Sequence, residues 1–144
     1  MSEQPDGGRG FIVIGVDGSE PSKAALRWAL RQAELTGARL DAVTAWHCPV
    51  TFGWAPMPGS VDVEGAARQM LDDVLAEVVG SGAGVEVQSR VVEGNAAGVL
   101  IDASKGADLL VLGNRGYGGF TEALLGSVSQ HCVHHATCPV VIIR

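Results

Sequence analysis

The sequence predicts an α/β domain of the doubly wound kind, five parallel strands with helices on both faces. Three observations predict it. Short apolar runs of strand type alternate along the chain with segments whose apolar residues recur every three or four positions. Strands joined through helices must run parallel, with right-handed crossovers. The fourth strand empties into a cluster of glycines at 113, 116, 118 and 119 that precedes a helix start at Gly126-Ser127. Glycine lets a backbone approach a ligand, and the first N–H groups of a helix are unpaired, so strand, glycine-rich loop and helix in that order suit phosphate.

Residues 11–16, Phe-Ile-Val-Ile-Gly-Val, form the first run, β-branched and apolar on both faces, as expected of a central strand. It ends at Asp17-Gly18-Ser19. Ser19 is a good N-cap, and Glu20-Pro21 suits a first helical turn. Leu26, Ala29, Leu30 and Ala33 line one helix face, and Gly37 stops it. Residues 40–46 are strand two. Residues 47–60 hold three prolines, two glycines, Phe52 and Trp54, an irregular segment longer than most connections. Such a loop serves equally as a binding edge or as a surface excursion.

Val63, Ala67, Met70, Val74 and Val78 mark a second helix ending near Gly80 or Gly82. Residues 85–92 form strand three. Asn95 caps a third helix carrying Ala96, Val99, Leu100 and Ala103, closed by Gly106. Residues 109–112, Leu-Leu-Val-Leu, are strand four. A helix over about 127–136 and a strand over 139–143 complete the order. Ligands of such sheets bind at the carboxyl ends of strands where the strand order reverses. Here those ends are Asp17-Gly18-Ser19 and the segment from Gly113 onward.

At 144 residues the chain has the size of one domain, expected over 10–144 after a polar, glycine-rich tail at 1–9. A net charge of −6 argues against a broad nucleic-acid or anionic-membrane surface. It leaves open a local phosphate site built from backbone amides. The three cysteines, at 48, 132 and 138, have no disulfide spacing and read as reduced thiols. No apolar run reaches membrane-spanning length and no signal-peptide pattern opens the sequence, so the expected location is cytoplasmic.

The spacing after strand four is specific: Gly113, two residues, Gly116, nine residues, Gly126, then Ser127. Val16-Asp17-Gly18-Ser19 lies near the start and Cys138-Pro139-Val140-Val141-Ile142-Ile143 at the end. Glu93-Gly94-Asn95 and Ala107-Asp108-Leu109-Leu110-Val111-Leu112-Gly113 lie between. Together these residues resemble the universal stress protein family over nearly the whole chain, from about Gly10 to Arg144.

The resemblance implies a five-stranded sheet of order 3-2-1-4-5 with the adenine nucleotide alpha-hydrolase-like fold. Members of the family that keep this glycine pattern bind ATP, so it also implies ATP with Mg2+ or Mn2+. By resemblance the ligand-binding positions are Asp17, Gly18, Ser19, Val43, Leu112, Gly113, Arg115, Gly116, Gly126, Ser127, Val128 and Ser129. Asp17 would lie near the adenosine or the metal, and Val43 would pack against adenine. Arg115 would reach a phosphate. The amides of residues 126–129 and the two hydroxyls would hold the β- and γ-phosphates.

Plainer readings stand beside these. Asp17 suits an Asx-turn supporting Gly18, Val43 a core position, Arg115 a solvated loop and Ser127 a simple cap. The family often has Pro where this chain has Ala96.

Turnover is not what the loop is built for. It lacks a Walker Gly-Lys-Ser/Thr and has no lysine to stabilise a transferring phosphate. The function expected is a nucleotide-responsive binding module. Slow ATP hydrolysis or autophosphorylation, and a dimeric partner protein that binds no nucleotide, are the alternatives. AMP or a cyclic nucleotide would suit the same loop. The apolar last strand, 139–143, is a template for pairing, and the resemblance implies a homodimer through it. His131, Cys132, His134, His135 and Cys138 lack the second ligand cluster of a structural zinc site. They read as surface histidines beside a buried Cys132.

Overall fold

The computed structural model describes residues 10–47, 62–80, 84–114 and 126–144. The expected tail at 1–9 and residues 48–60 of the proline-rich segment lie outside them. The described chain folds as β1 (Phe11–Gly15), α1 (Glu20–Thr36), β2 (Arg39–Trp46), α2 (Val63–Val78), β3 (Val87–Glu93), α3 (Ala96–Ala103), β4 (Leu109–Gly113), α4 (Ser127–His135) and β5 (Val140–Ile143). The strands form one sheet of order β3-β2-β1-β4-β5, every pair parallel. Architecture, strand number and strand order agree with the expectation, and element ends shift by at most two residues.

The two-residue period of the strands divides the core into two layers. Ile12 and Ile14 of β1 and Val16 just past it, with Leu40, Ala42 and Val111, pack against Ala25, Leu26, Ala29 and Ala33 of α1 and Leu71 and Val74 of α2. Val13, Val43, Leu110 and Leu112 face the other way, onto Ala97, Val99 and Leu100 of α3 and Cys132 of α4. β1 sits between β2 and β4, and Val13 and Ile14 have no exposed surface. That is why its sequence is an unbroken apolar run and not an alternation. Gly15 belongs to the α3 side: a Cβ there would meet Leu100 and Leu112 at 2.9 Å.

At the amino edge of the sheet the buried carboxylate of Asp41 takes a two-pronged bond from Arg39. Nε lies 2.7 Å from Oδ1 and Nη2 lies 3.1 Å from Oδ2. The same guanidinium stacks 4.8 Å from the centre of the Phe11 ring. Paired in both prongs, the charge avoids the cost of lone burial. These groups lie at the opposite end of the strands from the glycine-marked turns.

Three helices are capped by their own side chains. Ser19 accepts from the Ser22 N–H, Asp62 from Gly65 and Asn95 from Gly98. α1 closes at Gly37 with φ 77°, in the left-handed region. The sheet's two edges differ. β3 exposes Gln88, Arg90 and Glu93, whereas β5 is wholly aliphatic and no residue of it is fully buried.

Gly98 lies in the first turn of α3, where a Cβ would meet nothing within 4 Å. Gly98→Ala therefore removes unfolded-state freedom without a clash and should stabilise the fold by about 0.5–1 kcal/mol, read as a shift in the urea midpoint.

Candidate functional site

The first glycine-marked turn is held by its own polar groups. After β1 the chain bends at Gly18, whose φ of 86° favours a residue without Cβ. Asp17 Oδ1 accepts from the Ser19 N–H at 2.9 Å and also from the Ser19 hydroxyl. Ser19 Oγ in turn accepts from the Ser22 N–H at 3.3 Å, and the Ser22 hydroxyl donates to the Ser19 carbonyl at 3.0 Å. Asp17 thus performs the Asx-turn role. Its side chain is exposed, and among the described residues Oδ2 has no partner.

β2 is tied to this turn. The Val16 N–H donates to the Val43 carbonyl at 2.9 Å, and the Thr44 hydroxyl donates to the Val16 carbonyl at 2.8 Å. The Val43 side chain is a core group, 1% exposed, in one cluster with Leu112.

β4 ends against the same turn from the other side. A Cβ on Gly113 would lie 2.7 Å from the carbonyl carbon of Pro21, 2.8 Å from its oxygen and 2.9 Å from its Cβ. Two of those three atoms are backbone and cannot swing aside. Glycine at 113 is thus demanded by the packing of β4 on the first turn of α1. The Ser129 hydroxyl donates to the Gly113 carbonyl at 2.8 Å, binding α4 to the end of β4. Ser129 is 4% exposed, so its proton serves this tie. The Asn114 N–H donates to the Ile143 carbonyl at 2.7 Å, and the Gly126 N–H donates to the Asn114 carbonyl at 2.9 Å.

α4 begins differently from the other helices. Its N-cap is Gly126, not Ser127, and among the described residues no side chain accepts from its first turn. Ser127 is the first helical residue and is exposed. The leading N–H groups of a helix have no intrahelical acceptor. In α4 those of Ser127, Val128 and Ser129 have none among the described residues either. They carry the positive end of the helix dipole.

The structure therefore gathers Asp17, Gly18, Ser19, Gly113, Gly126, Ser127, Val128 and Ser129 at the carboxyl edge of β1 and β4, with Val43 and Leu112 packed just inside. Arg115 and Gly116 lie outside the described residues. Three contributors were not anticipated. Thr44 shows only as a lone hydroxyl in an apolar strand, and Asn114 as a polar residue past a strand end. Pro21 reads as a helix starter with no hint that Gly113 packs on it.

A groove of about 480 Å3 opens beside Asp17 and Gly18 toward α2, lined also by Lys23, Met70, Asp73 and Glu77. It lies on the α1/α2 side of the sheet and touches only two of the gathered residues. Hydrogen bonding to Glu77 holds the Lys23 ammonium above its ordinary pKa. On the other side, burial foremost and the neighbouring Cys138 push the Cys132 thiol up to about 11. It stays neutral and fills space in the core. Among the described residues no helix is long and apolar enough to cross a membrane.

Fold and switch-point geometry together define a doubly wound α/β protein of the adenine nucleotide alpha-hydrolase-like class. The model of the universal stress protein family matches residues 10–144. The chain belongs to that family. It is 39% identical over 142 residues to a universal stress protein of Mycolicibacterium smegmatis, the match covering 92% of this chain and 47% of the relative. The chain thus spans about half the length of the curated relatives it matches. Among solved structures it is similar to a universal stress protein in complex with cAMP, with TM-score 0.72 and 25% identity over 94% of this chain and 97% of the other. A universal stress protein from Archaeoglobus fulgidus in complex with dAMP shares the fold, with TM-score 0.67 and 20% identity over 94% and 98%.

Gly113→Ala drives a methyl into the Pro21 backbone and should destabilise the protein by about 1–3 kcal/mol, measured by chemical denaturation. A cost near zero would mean that β4 and α1 separate freely.

Proposed function

We propose that this protein binds ATP at the carboxyl edge of β1 and β4 and works as a nucleotide-responsive binding module. The observation that carries the reading is the glycine-capped start of α4. Three helices close their N-termini with their own side chains, while the first amides of α4 have no acceptor among the described residues. A phosphate chain is the acceptor such a terminus suits. Family membership and relatives crystallised with cAMP and dAMP support an adenine nucleotide.

In this reading the amides of residues 127–129 and the Ser127 hydroxyl take the terminal phosphates. The Ser129 hydroxyl acts one step back, fixing the helix through the Gly113 carbonyl. Arg115 and Gly116 contribute from the segment between Asn114 and Gly126. Leu112 and Val43 form the apolar floor for the base, and Gly18 and Ser19 shape the facing wall. A divalent ion, Mg2+ or Mn2+, accompanies the triphosphate and offsets its charge. Asp17 fits it, since such ions are commonly held by one or two carboxylates plus phosphate oxygens and water. The output is a change in contacts with other proteins.

Gly126→Asp separates binding from folding. Aspartate is a good N-cap, so the variant should fold with stability equal to or up to about 1 kcal/mol above wild type. Its carboxylate occupies the amides and repels phosphate. Calorimetric titration with MgATP should show saturable binding to wild type and none to the variant. Equal binding by both would refute the site.

A second copy of the chain is the proposed partner at β5. Its aliphatic residues are incompletely covered, and an antiparallel β5 from a twofold mate would satisfy the open edge. Sedimentation equilibrium should return twice the mass of 14.9 kDa. A monomer at micromolar concentration would exclude this pairing.

A further inference from the structure

We propose that the carboxyl half of α4 carries a surface chelate for a divalent transition-metal ion, formed by His131 and His135. The two residues are four apart in one helix and therefore share a face. Their ring centres lie 4.5 Å apart, with the planes tilted by 35°. Metal–nitrogen bonds to imidazole run about 2.0–2.1 Å, which puts each ring centre about 3.2 Å from a bound ion; two such bonds meeting at about 90–110° separate the centres by about 4.5–5.2 Å. The observed spacing falls at the near end of that range.

Both side chains are exposed, and neither has a hydrogen-bond or ion-pair partner among the described residues. They lie near the negative end of the helix dipole, which favours a cation. His134, with its ring centre 6.5 Å from that of His135, stands edge-on to His135. The buried Cys132 sulfur contacts the Ala97 carbonyl in the core and is turned away from solvent. Among the described residues no three metal-binding side chains converge. The site is therefore an open, two-imidazole chelate completed by water, and it exchanges its ion readily.

Ligand chemistry sets its selectivity. Imidazole suits nickel, copper and zinc, whereas oxygen ligands suit magnesium and calcium. One helix thus addresses two kinds of ligand, anionic oxygens at its amino end and a borderline-soft cation at its carboxyl end. The chelate rests on the ring geometry alone and stands whether or not the nucleotide reading does.

The test is calorimetric titration of the untagged full chain with nickel chloride at pH 7.5, without chelating buffer. Wild type should bind one ion per chain saturably. Loss of an outer-shell partner of a metal ligand costs about 10–100-fold in affinity, so His131→Gln and His135→Gln should each weaken binding at least about tenfold. His134→Gln and Cys138→Ser should leave it unchanged. No saturable binding by wild type overturns the proposal. So does binding that survives in the His131→Gln/His135→Gln double variant, or an equal loss in His134→Gln. All variants are at solvent-facing or half-buried positions, and circular dichroism confirms that each remains folded.

Discussion

The packing of the β4 terminus on the first turn of α1 is the constraint on which the rest of the carboxyl edge depends. β1 and β4 are neighbours, and the chain leaves them toward opposite faces of the sheet. Both exits must share one small volume. The protein solves this by removing a side chain at Gly113, where any Cβ would strike the Pro21 backbone. The Gly113 carbonyl accepts from the Ser129 hydroxyl, which ties the first turn of α4 to the end of β4, while Cys132 packs the helix on α3. The start of α4 and the first turn of α1 thus meet the same strand end from its two sides.

A division of labour runs along the strands. Charge is neutralised locally at the amino edge, where Arg39 grips the buried Asp41. At the carboxyl edge neutralisation is incomplete: one oxygen of Asp17 and the first amides of α4 have no partner among the described residues. Asp17 and Ser127 lie at the surface, where solvent serves them.

Much of this was legible in the sequence. The alternation of apolar runs with helical periods gave the five strands and four helices. Ser19, Gly37 and Asn95 announced helix ends because their chemistry is local. What could not be read were contacts between residues far apart in the chain. Gly113 was read for closeness to a ligand, but the steric demand comes from Pro21. Ser129 was read as a phosphate donor, yet its proton is held by a carbonyl sixteen residues earlier. Ser127 was weighed as a simple cap, and Gly126 holds that place. Glycine and serine are small enough to serve either a ligand or a neighbouring backbone, and only the fold decides which.

The contrast between the two sheet edges bears on how large an assembly can grow. β3 presents Gln88, Arg90 and Glu93 along its exposed positions, and β5 presents only aliphatic residues. A sheet with two adhesive edges would extend indefinitely, each added chain offering a fresh end. With a single adhesive edge, joining two copies consumes the adhesive surface of both. What remains outward is a pair of charged borders that pair poorly. In the proposed β5 pairing the strand order itself therefore limits growth, because two joined copies would present only their β3 edges.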